Sequence, residues 1–130
     1  MINIISSKNV MNNQIISKEE AEVLVNEAKI YEVIRVIEGK TIFLKEHFDR
    51  MNESIRLSGE IGTLNYNEFK NSAELLIKEN SFENCNIRVS YLYKNEPLSL
   101  FYFIKSYYPS EEEFKEGIHT VTMKTERENP

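Results

Sequence analysis

Cysteine occurs once, at Cys85, and histidine twice. One thiol closes no internal disulfide, and so small a supply of Cys and His leaves a structural zinc site without its ligands. Cys85 reads as a small buried or half-buried hydrophobe. Four glycines and three prolines exclude a collagen-like or low-complexity chain. The glycines stand far apart, so no Gly-rich phosphate loop can be assembled. No apolar run approaches the roughly 18 residues of a membrane span. Residues 1–7 hold a short apolar run without a basic n-region or a core of signal length. Positive charge is in the minority: 16 Lys and Arg stand against 21 Asp and Glu, for a net charge of −5. The lysines are scattered and usually sit beside glutamate, so no basic patch forms. Nucleic acid and anionic membrane are therefore not expected partners. A reduced, cytoplasmic compartment is the plain expectation.

What is present suits one ordinary domain. The chain has 130 residues, 41% of them hydrophobic and 28% charged. That length buries roughly two-thirds of the unfolded surface without cross-links.

Two apolar pieces, residues 2–5 and 15–16, predict edge strands joined by a polar turn around Asn12-Asn13-Gln14. Ser17 with Glu20 fits a capping box. It predicts a short helix over 19–28, with Ala21, Leu24, Val25 and Ala28 on one side. An extended run at 23–25 is the alternative. Residues 30–36 are β-branched and aromatic and predict a strand. Glu38-Gly39 then turns the chain into a β-prone stretch at 40–44, a hairpin signal. Alternation places Tyr31, Val33 and Arg35 on one face of that strand, and Glu32, Ile34 and Val36 on the other.

Residues 45–58 carry the clearest helical pattern, through Leu44, Phe48, Met51 and Ile55, with Gly59 placed to end it. Asn65 and Glu68 predict the start of a second helix, with Phe69, Ala73, Leu76 and Ile77 as its apolar side and an end near Asn80. Residues 86–93 and 98–108 predict two more strands around a turn at 94–97. A last strand is predicted at 118–124. Helices gathered in one block among strands imply an α+β fold: an antiparallel sheet with two helices packed on one face.

Catalytic sets are few. Ser54 lies seven residues from His47, two helical turns and about 10 Å of rise, too far for a nucleophile and its base. Glu46-His47-Phe48-Asp49-Arg50 is more pointed. His47 and Arg50 share a helix face at i, i+3, and the apolar positions Phe48 and Met51 put them at the edge of the core. An Arg there suits a phosphate, through its planar fork and the positive dipole of a first helical turn. The ordinary alternative is an Arg paired with a surface Glu, beside a His bonded to backbone.

The run Tyr31-Glu32-Val33-Ile34-Arg35-Val36-Ile37-Glu38-Gly39-Lys40, followed by Leu44-Lys45-Glu46-His47-Phe48-Asp49-Arg50-Met51, resembles the class IV aminotransferase family. These are the fold-type IV pyridoxal phosphate enzymes, and they include branched-chain and D-amino acid aminotransferases and aminodeoxychorismate lyase. The resemblance implies a small N-terminal α+β domain over 1–117. Residues 118–130 are then the linker and first strand of a C-terminal domain. It implies pyridoxal 5′-phosphate as cofactor, with Arg50 on its phosphate. Tyr31 and Glu32 are implied on the substrate side, and His47 in a structural role. An amino acid or an aminodeoxychorismate-like compound is the implied small-molecule partner, and a homodimer the implied assembly.

Two segments depart from the family. Asn26-Glu27-Ala28-Lys29-Ile30 stands where a Gly-Asp-Gly-like approach is common. Tyr91-Leu92-Tyr93-Lys94 stands where some members carry an Arg-Gly pair for a substrate carboxylate. The family's Schiff-base Lys is expected beyond Pro130, so the chain by itself is expected to be inactive. The alternative function is a cofactor-free small-molecule or protein-interaction module. The aromatic run Tyr91, Tyr93, Phe101, Tyr102, Phe103, Tyr107 and Tyr108 motivates it, because neighbours on a strand alternate faces and some of those rings would be exposed.

Overall fold

The computed structural model describes residues 4–105. The chain opens with two short strands, β1 (Lys8–Met11) and β2 (Gln14–Ser17), and helix α1 (Lys18–Val25). Strands β3 (Ile30–Ile37) and β4 (Lys40–Thr41) precede helices α2 (Leu44–Ser58) and α3 (Tyr66–Glu79). Strands β5 (Cys85–Tyr93) and β6 (Pro97–Ile104) follow. They form one antiparallel sheet in the order β2-β1-β6-β5-β3-β4.

Alternation along the strands divides the core into two layers. Ile34, Val36, Ile87, Val89, Phe101 and Phe103 turn to one face, where Phe48, Met51 and Ile55 of α2 and Phe69, Ala73 and Leu76 of α3 cover them. The helical spacing of those apolar residues is what lets both helices lie flat on the sheet. Leu100 and Tyr102 turn to the other face and pack with Ile4 and with Ala21 and Val25 of α1. The expected pair of helices on one face is present, and α1 adds a partial cover to the opposite face.

The helix caps follow the sequence closely. Ser17 and Glu20 form the reciprocal capping box. The Asn65 side chain accepts from the Glu68 N–H at 3.1 Å. Gly59 ends α2 in a left-handed conformation, φ 82°.

Several boundaries differ from expectation. The first strand is Lys8–Met11, not residues 2–5; Ile4 forms only an isolated bridge to Ile104. Ile4 is buried in the α1 layer, so its apolar character serves packing and not ladder formation. Asn12 and Asn13 both take positive φ, 49° and 67°, the geometry of a two-residue hairpin turn. Gln14 already belongs to β2.

Helix α1 stops at Val25, so Ala28 lies outside it. Strand β4 is only Lys40–Thr41. Phe43 adopts φ 57°, which breaks the extended chain and turns it into α2 at Leu44. Strand β6 starts at Pro97 and ends at Ile104. Tyr107, Tyr108 and the predicted strand at 118–124 lie outside the described residues.

Among the described residues, most of the aromatic run is buried, where the second reading required exposure. Tyr91, Phe101, Tyr102 and Phe103 are all buried, because helices cover both faces of β6. Tyr93 is the one exposed ring of that run among the described residues.

Residues 59–64 cross back over the end of β5. The Asn52 amide clamps this segment by accepting from the Leu64 N–H at 2.9 Å and donating to the Leu64 carbonyl at 3.2 Å. The Tyr91 hydroxyl donates to the Ile61 carbonyl. Gly62 has φ 100°, and a Cβ there would collide with the Tyr91 hydroxyl and meet the Pro97 ring at 3.0 Å. Gly62→Ala should therefore destabilise the chain by about 1–3 kcal/mol, the usual cost of overpacking. Urea unfolding reads this as a lower midpoint; an unchanged midpoint would show that Tyr91 yields freely.

Candidate functional site

Strand β3 carries the site, and β4 pairs only with its last residues, Val36 and Ile37. The stretch from Ile30 to Ile34 is hydrogen-bonded to β5 and has no strand on its other side among the described residues. Tyr31 and Glu32 thus sit on a sheet margin and point to opposite faces.

Glu32 turns toward α2. Its side chain is 13% exposed, and its Oε1 meets His47 Nδ1 at 2.8 Å and Arg50 Nε at 3.4 Å. His47 and Arg50 reach the same oxygen because i, i+3 spacing stacks them on one side of α2. Arg50 Nη2 also approaches His47 Nδ1, at 3.5 Å. One ring nitrogen cannot both donate to Glu32 and accept from Arg50. The 2.8 Å contact decides, so hydrogen-bond geometry assigns the proton to Nδ1. A largely buried carboxylate is costly unless paired, and these two donors satisfy it.

Arg50 is 63% exposed although its Nε is anchored. One edge of the guanidinium is held by Glu32, and most of the side chain is open to solvent. That is how a planar cation is prepared for a phosphate from solution. The residues therefore fit the anionic end of the cofactor that the resemblance implies. The helix dipole contributes less than expected. α2 begins at Leu44, which puts Arg50 in its second turn, and the dipole effect fades beyond the first. The ordinary alternative is half realised: Arg50 does pair with a glutamate, but His47 bonds that same carboxylate and not backbone.

Tyr31 lies on the other face, 52% exposed. The structure does not bring its side chain to Glu32, His47 and Arg50. It meets Arg88 of β5, whose guanidinium carbon is 3.7 Å from the Tyr31 ring centroid, a close cation–π stack. Arg88 Nε is buried and has no hydrogen-bond partner among the described residues. Ser90 and Tyr102 lie beside it on the same face, their hydroxyls 2.6 Å apart and both residues fully buried. The site thus has a cation on each side of one strand: Arg50 toward the helices, and Arg88 toward the face that α1 leaves partly open.

Arg88 is the functional candidate that sequence reasoning missed. Its signal was present as a charged residue in an otherwise apolar alternating strand. Alternation alone could not show what faces it, because Tyr31 lies far away in the sequence, on another strand. Of the segment Tyr91-Leu92-Tyr93-Lys94, Tyr91 and Leu92 are buried, Tyr93 is exposed, and the Lys94 Nζ is taken by Glu27 at 2.8 Å. Among the described residues no group of His, Cys, Asp and Glu is arranged to hold a metal ion, and no helix is long and apolar enough to cross a membrane.

Comparison with known proteins bears on the family and the fold. D-alanine aminotransferase of Staphylococcus epidermidis is 29% identical over 136 aligned residues, covering 89% of this chain and 47% of the relative. The chain thus spans about half the length of that protein. A T.th. branched-chain amino acid aminotransferase, solved with pyridoxamine 5′-phosphate, superposes with a TM-score of 0.66 at 20% identity. That match covers 85% of this chain and 43% of the neighbour. The Escherichia coli branched-chain enzyme superposes with a TM-score of 0.67 at 14% identity, over 82% of this chain and 42% of its own. At these identities the two structures establish the shared fold. The sequence itself matches amino-transferase class IV over residues 29–130, from the residue before β3 onward, and the chain belongs to that family.

Proposed function

We propose that this chain builds part of an aminotransferase site that uses pyridoxal 5′-phosphate and takes its amino group from a small amino acid. The observation that carries this reading is the shared carboxylate: Glu32 holds both His47 and Arg50, and leaves most of the Arg50 side chain exposed. The relative named D-alanine aminotransferase and the neighbours named branched-chain amino acid aminotransferases support an amino-acid donor. The cofactor, when bound, supplies an electron sink for the carbanion formed at the substrate α-carbon.

The chain's own residues do the rest by binding and orientation. Arg50 holds the cofactor phosphate. Glu32 and His47 fix the direction of Arg50, so that less side-chain freedom is lost on binding. Arg88, stacked on Tyr31, offers its guanidinium to the substrate carboxylate. Tyr31 shields that contact from water, which strengthens it.

Amino-group transfer to 2-oxoglutarate, assayed with the complete reading frame, pyridoxal phosphate and a panel holding D-alanine and L-valine, tests the reading. Arg88→Leu should raise KM for the amino acid by about 10- to 100-fold, the loss of one hydrogen bond to a charged group, with a smaller change in kcat. No transfer from any amino acid would sink the proposal. An unchanged KM would remove Arg88 alone from it.

A further inference from the structure

We propose that Tyr102 is a positioning residue for Arg88: its hydroxyl, clasped by Ser90, keeps the guanidinium flat against Tyr31. This rests on the reading of Arg88 as the substrate-side cation.

The sheet register carries the inference. Tyr31 pairs across with Ser90, and Arg88 pairs across with Tyr102. All four side chains therefore stand on one face, on three neighbouring strands. The contacts do not follow those direct pairs. Arg88 leans diagonally onto Tyr31, and Tyr102 leans diagonally onto Ser90, at 2.6 Å. Arg88 and Tyr102 lean the same way, so the phenol flanks the guanidinium along its length.

The position of the hydroxyl is unusual for a core ring. Tyr102 is fully buried, and phenylalanine would fill the same space with no hydroxyl to desolvate. Ser90 satisfies part of that cost. Burial still pushes the Tyr102 phenol up from its ordinary pKa; the Ser90 hydrogen bond and then the Arg88 guanidinium work against that rise. Cross-strand pairing sets Tyr102 directly beside Arg88. Three constraints then act on one flexible cation: a ring on its face, a fixed oxygen beside it, and a strand position shared with Tyr102. The Nε is buried and has no hydrogen-bond partner among the described residues.

The test uses the 130-residue chain and the nuclear resonances of Arg88. Stacking on Tyr31 should shift the Arg88 Hδ protons upfield, and burial should slow exchange of its Nε–Hε with water. Tyr102→Phe should abolish the upfield shift and speed that exchange by about tenfold, while the circular dichroism of the fold is unchanged. Ser90→Ala should move both signals the same way by less, and it serves if Tyr102→Phe does not fold. Arg88 signals unchanged in the folded variants would overturn the positioning role. Titration of the unsubstituted chain with propanoate separates the two readings. A saturable shift at Arg88 Nε–Hε supports the carboxylate role. Its absence, with the Tyr102→Phe effect present, removes that role and leaves the positioning intact.

Discussion

On the proposed reading, Arg50→Ala should weaken retention of pyridoxal 5′-phosphate by about 10- to 100-fold, the loss of a charge-assisted contact to phosphate. Dialysis of the cofactor-loaded protein and absorbance retitration with cofactor measure it. Arg50→Lys should recover only part of the affinity. A lysine cannot bond Glu32 with one edge and present a planar fork with the other. Unchanged affinity in Arg50→Ala would take Arg50 out of the site. The fold should lose less, because His47 still pairs the largely buried Glu32 carboxylate at 2.8 Å and Arg50 itself is 63% exposed. That separation of effects distinguishes a binding Arg from a structural one.

Phe69→Ala should cost about 3–5 kcal/mol of folding stability, the range for a large core ring removed. Phe69 is buried on α3 and meets two rings edge-on: Phe48 of α2 at 5.2 Å and Phe101 of β6 at 5.0 Å. One truncation thus loosens both helices from the sheet. For a domain whose whole stability is about 5–15 kcal/mol, that is a large share. Leu57→Ala supplies the contrast, since Leu57 is 69% exposed and its loss should stay within about 0.5 kcal/mol. A Phe69→Ala cost near that of Leu57→Ala would mean the rings repack without a cavity. Because α2 carries His47 and Arg50, the variant should also loosen cofactor binding in proportion to the disorder of that helix.

Local chemistry made much of the fold legible. The capping pairs Ser17/Glu20 and Asn65/Glu68 and the stop at Gly59 each depend on residues a few positions apart, and each is present. The apolar faces of α2 and α3 and the alternation of β3 and β5 were readable for the same reason. Where reading failed, a distant contact decided. Ile4 looked like a strand residue and became a core plug under α1. The stretch at 40–44 had β propensity throughout, but β3 offers it only two paired positions before Phe43 turns the chain into a helix. The aromatic rings of β5 and β6 looked too many for one layer, and the fold supplied two.

The candidate site divides in the same way. Residues 31–51, read in order, were enough for the family, for the i, i+3 face shared by His47 and Arg50, and for the opposite facing of Tyr31 and Glu32. Those depend on helical and strand periods, which are properties of neighbouring residues. Folding in three dimensions was needed to bring Glu32 of β3 to both His47 and Arg50 of α2. It alone set Arg88 on Tyr31 and Tyr102 on Ser90. The reason is register: which residues of two strands stand opposite is fixed by the packing of the whole sheet, and no period along one strand records it.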